Sequence, residues 1–341
     1  MKANLKNMTI SEIEIFFENI GEKKFRAKQV FSWLYKGART FDEMTDISKE
    51  LREKLKEHAY IQNLEIARKQ VSEKDGTRKY LFLLSDGQTI ESVFLKYQYG
   101  NSVCLSSQAG CRMGCAFCAS AIGGLRRNLS AAEMTDQILA IEKDAGERIG
   151  HLVIMGTGEP FDNYENLIRF IKLVNAKEGL NIGMRNITVS TCGLIPQIHE
   201  FARDMPQVNL AVSLHAPNDG IRKKLMPISA RYPMDDLLAA AKAHAERTGR
   251  RVTYEYALIR DFNDSAAHAK ELARKLRGTL CHVNLISLND VSETGFKGSG
   301  RERTEEFRSI LEEAGVQTTI RREMGTDIDA ACGQLRLGRE K

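Results

Sequence analysis

Gly110-Cys111-Arg112-Met113-Gly114-Cys115-Ala116-Phe117-Cys118 is the stretch on which the reading of this chain turns. It sets three of the chain's seven cysteines at C-x-x-x-C-x-x-C spacing, a grouping that chance seldom produces in 341 residues. Three thiolates on one short loop can ligate three irons of a [4Fe–4S] cubane and leave the fourth iron without a protein ligand. An open metal position binds and activates something, whereas a closed one holds structure. The alternative is a structural zinc ion. Zinc asks for a fourth Cys or His nearby, and the next histidine downstream is His151.

Outward from this loop the pattern is strand followed by helix. Apolar strand-like runs fall at Val103–Leu105, His151–Met155, Asn186–Ser190, Val208–Ser213, Arg251–Ala257, His282–Ile286 and Gln317–Ile320. Helix-like segments lie between them at Ser130–Lys143, Tyr164–Asn175, Met234–Ala245, Ser265–Leu276 and Arg303–Ala314. That alternation predicts an α/β fold with a parallel sheet and helices outside. About six such units suit a partial (β/α)6 barrel better than a flat nucleotide-binding sheet, although the pattern does not separate the two. Upstream, Arg78–Leu84 and Thr89–Leu95 flank Asp86-Gly87, a hairpin signal. Before that, Thr9–Ile20, Ala27–Tyr35 and Ser48–His58 read as amphipathic helices. The expected organisation is an N-terminal helical accessory domain over 1–60, a β-rich hairpin extension over 61–100, and the barrel with a C-terminal segment over 101–341.

Composition bounds the function. With 42% hydrophobic and 28% charged residues, the chain has a globular composition. A net charge of +5 permits a nucleic-acid partner without arguing for one. An odd number of cysteines, clustered, makes no disulfide framework and fits a reducing cytoplasm. The N-terminus lacks an apolar signal core, and no run of about eighteen apolar residues occurs, so no membrane association is expected.

Polar residues gather just after the strand-like runs, where an α/β barrel carries its chemistry. His151–Met155 leads into Gly156-Thr157-Gly158-Glu159-Pro160, whose glycines admit a close ligand and whose Glu159 could accept from an ammonium group. Ser190, then Ser213-Leu214-His215, then Asn289 follow three further strands. For His215 the alternative is a satisfied, partly buried side chain, and for Glu159 a glycine-flanked turn. Cys192 and Cys281 read as small core residues. Cys104 lies on the strand leading into the cysteine loop. Cys332, among Ala330, Ala331 and Gly333, is placed to carry a thiol into a cleft. Arg126-Arg127, Lys223-Lys224 and Arg321-Arg322 are solvated faces or RNA phosphate contacts.

Taken together, the chain resembles the RlmN family of dual-specificity RNA methyltransferases, radical S-adenosylmethionine (SAM) enzymes. The resemblance runs through Lys24–Gln29, Asp75–Lys79, the cysteine loop with Gly123–Leu129, Met155–Pro160, Ile320–Gly325 and Ala330–Leu335. It implies a [4Fe–4S] cluster on Cys111, Cys115 and Cys118, and a SAM site lined by Gly158, Glu159, Ser190, Ser213, Leu214, His215 and Asn289. It further implies Cys332 as methyl carrier, Cys104 as the thiol that releases product through a transient disulfide, and Glu91 as proton acceptor. The implied substrates are adenosine 2503 of 23S rRNA and adenosine 37 of tRNA, methylated at carbon 2 by a monomer that takes electrons from a donor such as flavodoxin. Two alternatives stand beside this: a Cfr-like enzyme that methylates carbon 8, and a non-catalytic iron–sulfur RNA-binding protein.

Overall fold

The first sixty residues are closed on themselves. In the computed structural model, which describes residues 2–288, 295–330 and 334–335, β1 (Ala3–Asn4) pairs in parallel with β2 (Ala59–Tyr60). Between them lie α1 (Ile10–Asn19), α2 (Arg26–Tyr35) and α3 (Lys49–His58). Thr9 and Glu12 form a capping box at the start of α1, and Ser48 caps α3. Ile13, Phe17, Val30, Phe31, Leu51 and Leu55 supply the buried faces.

The rest builds one sheet of ten strands, in the order β14-β13-β12-β11-β10-β9-β6-β5-β4-β3. Its antiparallel edge is β3 (Glu65–Val71), β4 (Arg78–Leu83), β5 (Thr89–Tyr97) and β6 (Gly100–Cys104). From β6 onward the strands are parallel: β9 (His151–Ile154), β10 (Ile187–Thr191), β11 (Asn209–Ser213), β12 (Val252–Leu258), β13 (Cys281–Ser287) and β14 (Thr318–Ile320). A small antiparallel pair, β7 (Gln108–Gly110) with β8 (Leu125–Asn128), brackets the cysteine loop. The crossover helices are α4 (Ala131–Ala145), α5 (Tyr164–Asn175), α6 (Ile195–Asp204), α7 (Asp219–Leu225), α8 (Met234–Thr248), α9 (Ala266–Leu276) and α10 (Arg301–Glu313).

The α/β architecture expected from the alternation is the one found, with two open sheet ends in place of a closed barrel. The hairpin strands join the main sheet, so β5 passes directly into β6 and on to the cysteine loop. Five elements had no clear apolar signature. Strand β3 is an edge strand, mostly exposed and charged, so alternation is masked. Strands β7 and β8 are only three and four residues long, and α7 only seven. Helix α6 begins with Pro196 in its first turn, which reads equally as a turn signal.

The N-terminal helices dock onto α4 through a buried polar contact and onto α5 through a half-exposed one. Lys6, 2% exposed, forms an ion pair with Asp136 on α4 and donates to Asn63 Oδ1 at 3.3 Å. Arg169 on α5 donates to Glu12 at 2.6 Å and to the Asn7 carbonyl at 3.1 Å. Among the described residues no helix is long and apolar enough to cross a membrane.

Candidate active site

The cysteine loop is a hairpin whose neck only glycine permits. Gly110 has φ +78°, and a Cβ there would lie 2.0 Å from the Gly124 carbonyl oxygen. Within the loop, the Cys118 amide donates to the Cys115 carbonyl at 3.1 Å, and the Ala116 amide donates to the Leu225 carbonyl at 2.8 Å. All three thiols line one cavity, at the C-terminal ends of the parallel strands. The same lining takes Gly156, Gly158 and Glu159 from beyond β9, Ser190 and Cys192 from β10, and Ser213 and His215 from β11. Glu255 and Ala257 of β12, Ile286 of β13 and Arg321 beyond β14 also line it.

Main-chain bonds hold these side chains. Glu159, 4% exposed, accepts from the Phe161 amide at 3.0 Å and the Cys192 amide at 2.7 Å. Gly158 has φ +108°, and a Cβ there would fall 2.6 Å from Gln108 Cβ, so packing alone demands glycine. His215, itself at φ +54°, accepts from the Ala257 amide through Nδ1 at 2.9 Å. Its ring meets Phe117 of the cysteine loop edge-on at 4.9 Å. Burial, aided by the Arg222 charge, lowers the His215 pKa to about 3, so the ring is neutral with its proton on Nε2. Ser190 Oγ and Ser213 Oγ are 3.4 Å apart. Leu214, next in the chain after Ser213, is wholly buried in the main core and adds no side chain to the cavity lining.

The donor set fits a cationic cluster and a sulfonium ligand. Burial pushes the Cys111 thiol up to about 12 and raises Cys115 further, so thiolates persist here only against a bound cation. Among the described residues no three His, Cys, Asp or Glu side chains close on a single ion. Burial raises the pKa of both Glu159 and Glu255, two carboxylates facing one cavity, which a positively charged ligand would offset.

Two residues of this site carried no signal in the sequence. Arg222 is fully buried and donates to the carbonyls of Cys192 at 2.7 Å, Ser213 at 3.3 Å and Leu214 at 3.3 Å, fastening the ends of β10 and β11 together. It stands beside the exposed-looking Lys223-Lys224, which hides it. Glu255 accepts from Asn284 at 2.8 Å, one acid within an otherwise apolar strand. Cys192, expected as core, is buried but also lines the cavity, whereas Cys281 packs in the main core. Arg127 is paired with Glu133 at 2.8 Å and with Asp86.

Cys104 lines a second chamber with Val93, Leu95 and Tyr97 on one side and Arg322, Met324, Ala330 and Leu335 on the other. The two cavities share Met155, Ile286 and Arg321 as wall residues. The turn between β3 and β4 straps the C-terminal segment in place. Asp75 accepts from the Gly325 amide at 2.9 Å, Ser72 donates to Asp327 at 2.7 Å, and Lys79 donates to the Asp329 carbonyl at 3.2 Å. Burial alone would raise the Asp75 pKa, but hydrogen bonds from Thr77 and Gly325 outweigh it and hold the carboxyl at about 2. Glu91 on β5 pairs with Lys79 at 3.4 Å, both side chains 9% exposed, and is outside the described lining of both cavities. Cys332 and Asn289 lie outside the described residues.

Comparison with known proteins gives a consistent picture. Residues 3–61 match the Ribosomal RNA large subunit methyltransferase N-terminal domain, and residues 105–275 match the Radical SAM superfamily. The chain is 55% identical over 334 residues to the probable dual-specificity RNA methyltransferase RlmN of Thermoanaerobacter sp. (strain X514), covering 98% of this chain and 97% of that one. Its counterpart of the same description in Alkaliphilus oremlandii is 53% identical over 335 residues, covering 98% of each. Among solved structures, a radical SAM methyltransferase from Sphaerobacter thermophilus superposes with a TM-score of 0.94 at 45% identity, covering 98% of this chain and 99% of that one.

Proposed function

The chain belongs to the RlmN family of dual-specificity RNA methyltransferases within the radical SAM superfamily, and from that premise we propose that it methylates carbon 2 of adenosine, at position 2503 of 23S rRNA and position 37 of tRNA. Carbon 2 of adenine is electron-poor and has no nucleophilic lone pair, so polar methyl transfer cannot reach it, whereas radical addition can. The base would leave its stack to react, which is cheapest in a loop.

When bound, a reduced [4Fe–4S] cluster supplies the electron that cleaves SAM to methionine and a 5′-deoxyadenosyl radical. Cys111, Cys115 and Cys118 would hold that cluster. Glu159 would accept from the SAM ammonium group, and the Gly158 backbone, Ser190, Ser213 and His215 Nε2–H would orient the rest. Leu214 would contribute main-chain atoms only, and Asn289 follows from the family pattern alone.

The Cys332 thiolate would attack the methyl carbon of a first SAM, forming an S–CH3 bond as S-adenosylhomocysteine leaves. A hydrogen atom would then leave that S-methyl for the deoxyadenosyl radical formed from a second SAM, and the carbon radical would add to adenine carbon 2. As the adduct would return one electron to the oxidised cluster, its carbon-2 proton would pass to Glu91. The Cys104 thiolate would attack Cys332 Sγ, breaking the sulfur–carbon bond. The electron pair goes to the departing carbon, which takes a proton to become the methyl group. The Cys104–Cys332 disulfide is then reduced by an external thiol, and a donor such as flavodoxin renews the electron supply.

The observation that carries this reading is the shared wall of the two cavities. Cys104 lies in a chamber with Ala330 and Leu335, neighbours of Cys332 in the chain, and Met155, Ile286 and Arg321 divide that chamber from the thiol-lined cavity. The test is anaerobic turnover of reconstituted protein with deuteromethyl-SAM, reductant and an rRNA fragment, followed by mass analysis of nucleosides. Labelled 2-methyladenosine whose methyl retains two deuteria is expected. A methyl retaining three would eliminate the methylene route, and labelled 8-methyladenosine would move the target to carbon 8.

A further inference from the structure

Two stacked tyrosines, one of them lining the Cys104 chamber, have no part in the reaction above. Strand β5 ends at Tyr97 and β6 begins at Gly100, so Tyr99 sits on the tight turn between them. The rings of Tyr97 and Tyr99 are parallel, 4.9 Å apart and inclined by 8°. His151 on β9 braces the Tyr99 ring edge-on at 5.1 Å and 84°. Tyr97 lines the chamber with Arg321 and Arg322, and Arg321 is near enough to act electrostatically on the Tyr99 phenol. Tyr99 is nevertheless 66% exposed. A stacked, braced aromatic ring left facing water beside two guanidinium groups is the arrangement that proteins use to stack an unpaired base and hold its phosphate.

We propose that Tyr99, backed by Tyr97 and His151, is a stacking platform for the RNA nucleobase adjacent to the target adenosine, with Arg321-Arg322 on the neighbouring phosphate. The inference rests on the reading that the target adenine enters the Cys104 chamber. A base held outside by stacking would keep the flipped adenosine from rejoining its helix. Stacking reads no sequence, because every base presents a π face, so one platform serves both an rRNA and a tRNA loop.

The test is equilibrium binding of a fluorescein-labelled RNA hairpin, with the target adenosine in its loop, to the cluster-loaded full chain without SAM. Tyr99→Ala should weaken binding by roughly tenfold or more, with Tm and cluster absorbance unchanged. Tyr99→Phe, which retains the ring, should stay within about twofold. An abasic nucleotide on one side of the target adenosine should abolish the difference between wild type and Tyr99→Ala. Equal binding by Tyr99→Ala overturns the platform, as does an equal loss in Tyr99→Phe, which would indicate a phenol hydrogen bond instead. A Tyr99→Ala defect that survives abasic substitution on either side overturns it too. Failure of the wild-type protein to bind the hairpin would instead sink the RNA assignment that both readings share.

Discussion

The thiol-lined cavity and the Cys104 chamber share three wall residues, yet they are held by different kinds of bond. Around the cavity, side chains from the ends of β9 to β13 are fixed by the sheet's own main chain. Glu159 is held by two amides and His215 by one, while Arg222 draws three carbonyls together. One wall of the chamber is equally firm, because Val93 and Cys104 are paired neighbours in the sheet. Its other wall is the segment beyond β14, tethered chiefly by side chains of the turn at 72–79. A few tethers open at far lower cost than a sheet. The thiol-lined side is thus preorganised by the sheet, and the C-terminal side is held by fewer bonds.

The sharpest contrast should come from the thiols. Cys118→Ala is expected to abolish both cluster absorbance and turnover, whereas Cys104→Ala should keep the absorbance and stall as a protein–RNA adduct visible on a denaturing gel. Freely released product from Cys104→Ala would end its proposed role. Next in size is Arg222→Met, which removes charged hydrogen bonds at the strand ends and should cost about 2–3 kcal/mol or more in chemical denaturation. The same change at the adjacent Lys223 should stay within about 0.5 kcal/mol. If the two variants unfold alike, the stapling argument fails.

Asp75→Ala tests the tether. It should leave cluster content intact, expose the C-terminal segment to limited proteolysis, and lower methyl transfer by about tenfold through loss of roughly 1–1.5 kcal/mol of hydrogen bonding. Unchanged cleavage kinetics near residue 325 would refute it. The last contrast concerns pH. His215 titrates near 3 in the folded chain against an ordinary value of 6.5, so the unfolded chain binds the extra proton first. Stability therefore falls as pH drops from about 6.5 toward 3, by at most about 1.4 kcal/mol per unit. His215→Asn, which tolerates the positive φ, should flatten that slope. Asp75 is shifted in the same direction but over a lower window. Its contribution is complete above about 3.8 and is lost as pH falls toward 2, so mild acid should weaken the cavity before the tether. A His215→Asn denaturation series parallel to wild type from pH 6 to 4 would contradict this.

Much of the site was legible in the sequence because its chemistry is local. The cysteine spacing, Gly156–Pro160, and the serines and His215 at strand ends are read within a few residues, and all of these but Thr157 line the cavity. Other features were invisible for physical reasons. Arg222 looks like one more surface cation of α7 until the fold closes over it. Glu255 is a single acid in a β-rich run. The motif Asp75–Lys79 was recognisable only as a pattern, because its partners lie about 250 residues away.

What the sequence determined alone is the class of chemistry and the order of elements, since ligand spacing and hydrophobic period are short-range properties of the chain. What only the tertiary structure decided is which residues meet. It joined Cys104 to the C-terminal segment, stacked Tyr99 on a tyrosine of the chamber wall, and buried a guanidinium behind the strand ends. Such contacts depend on how a twisted parallel sheet brings distant strand ends to one rim, and no local pattern encodes that geometry.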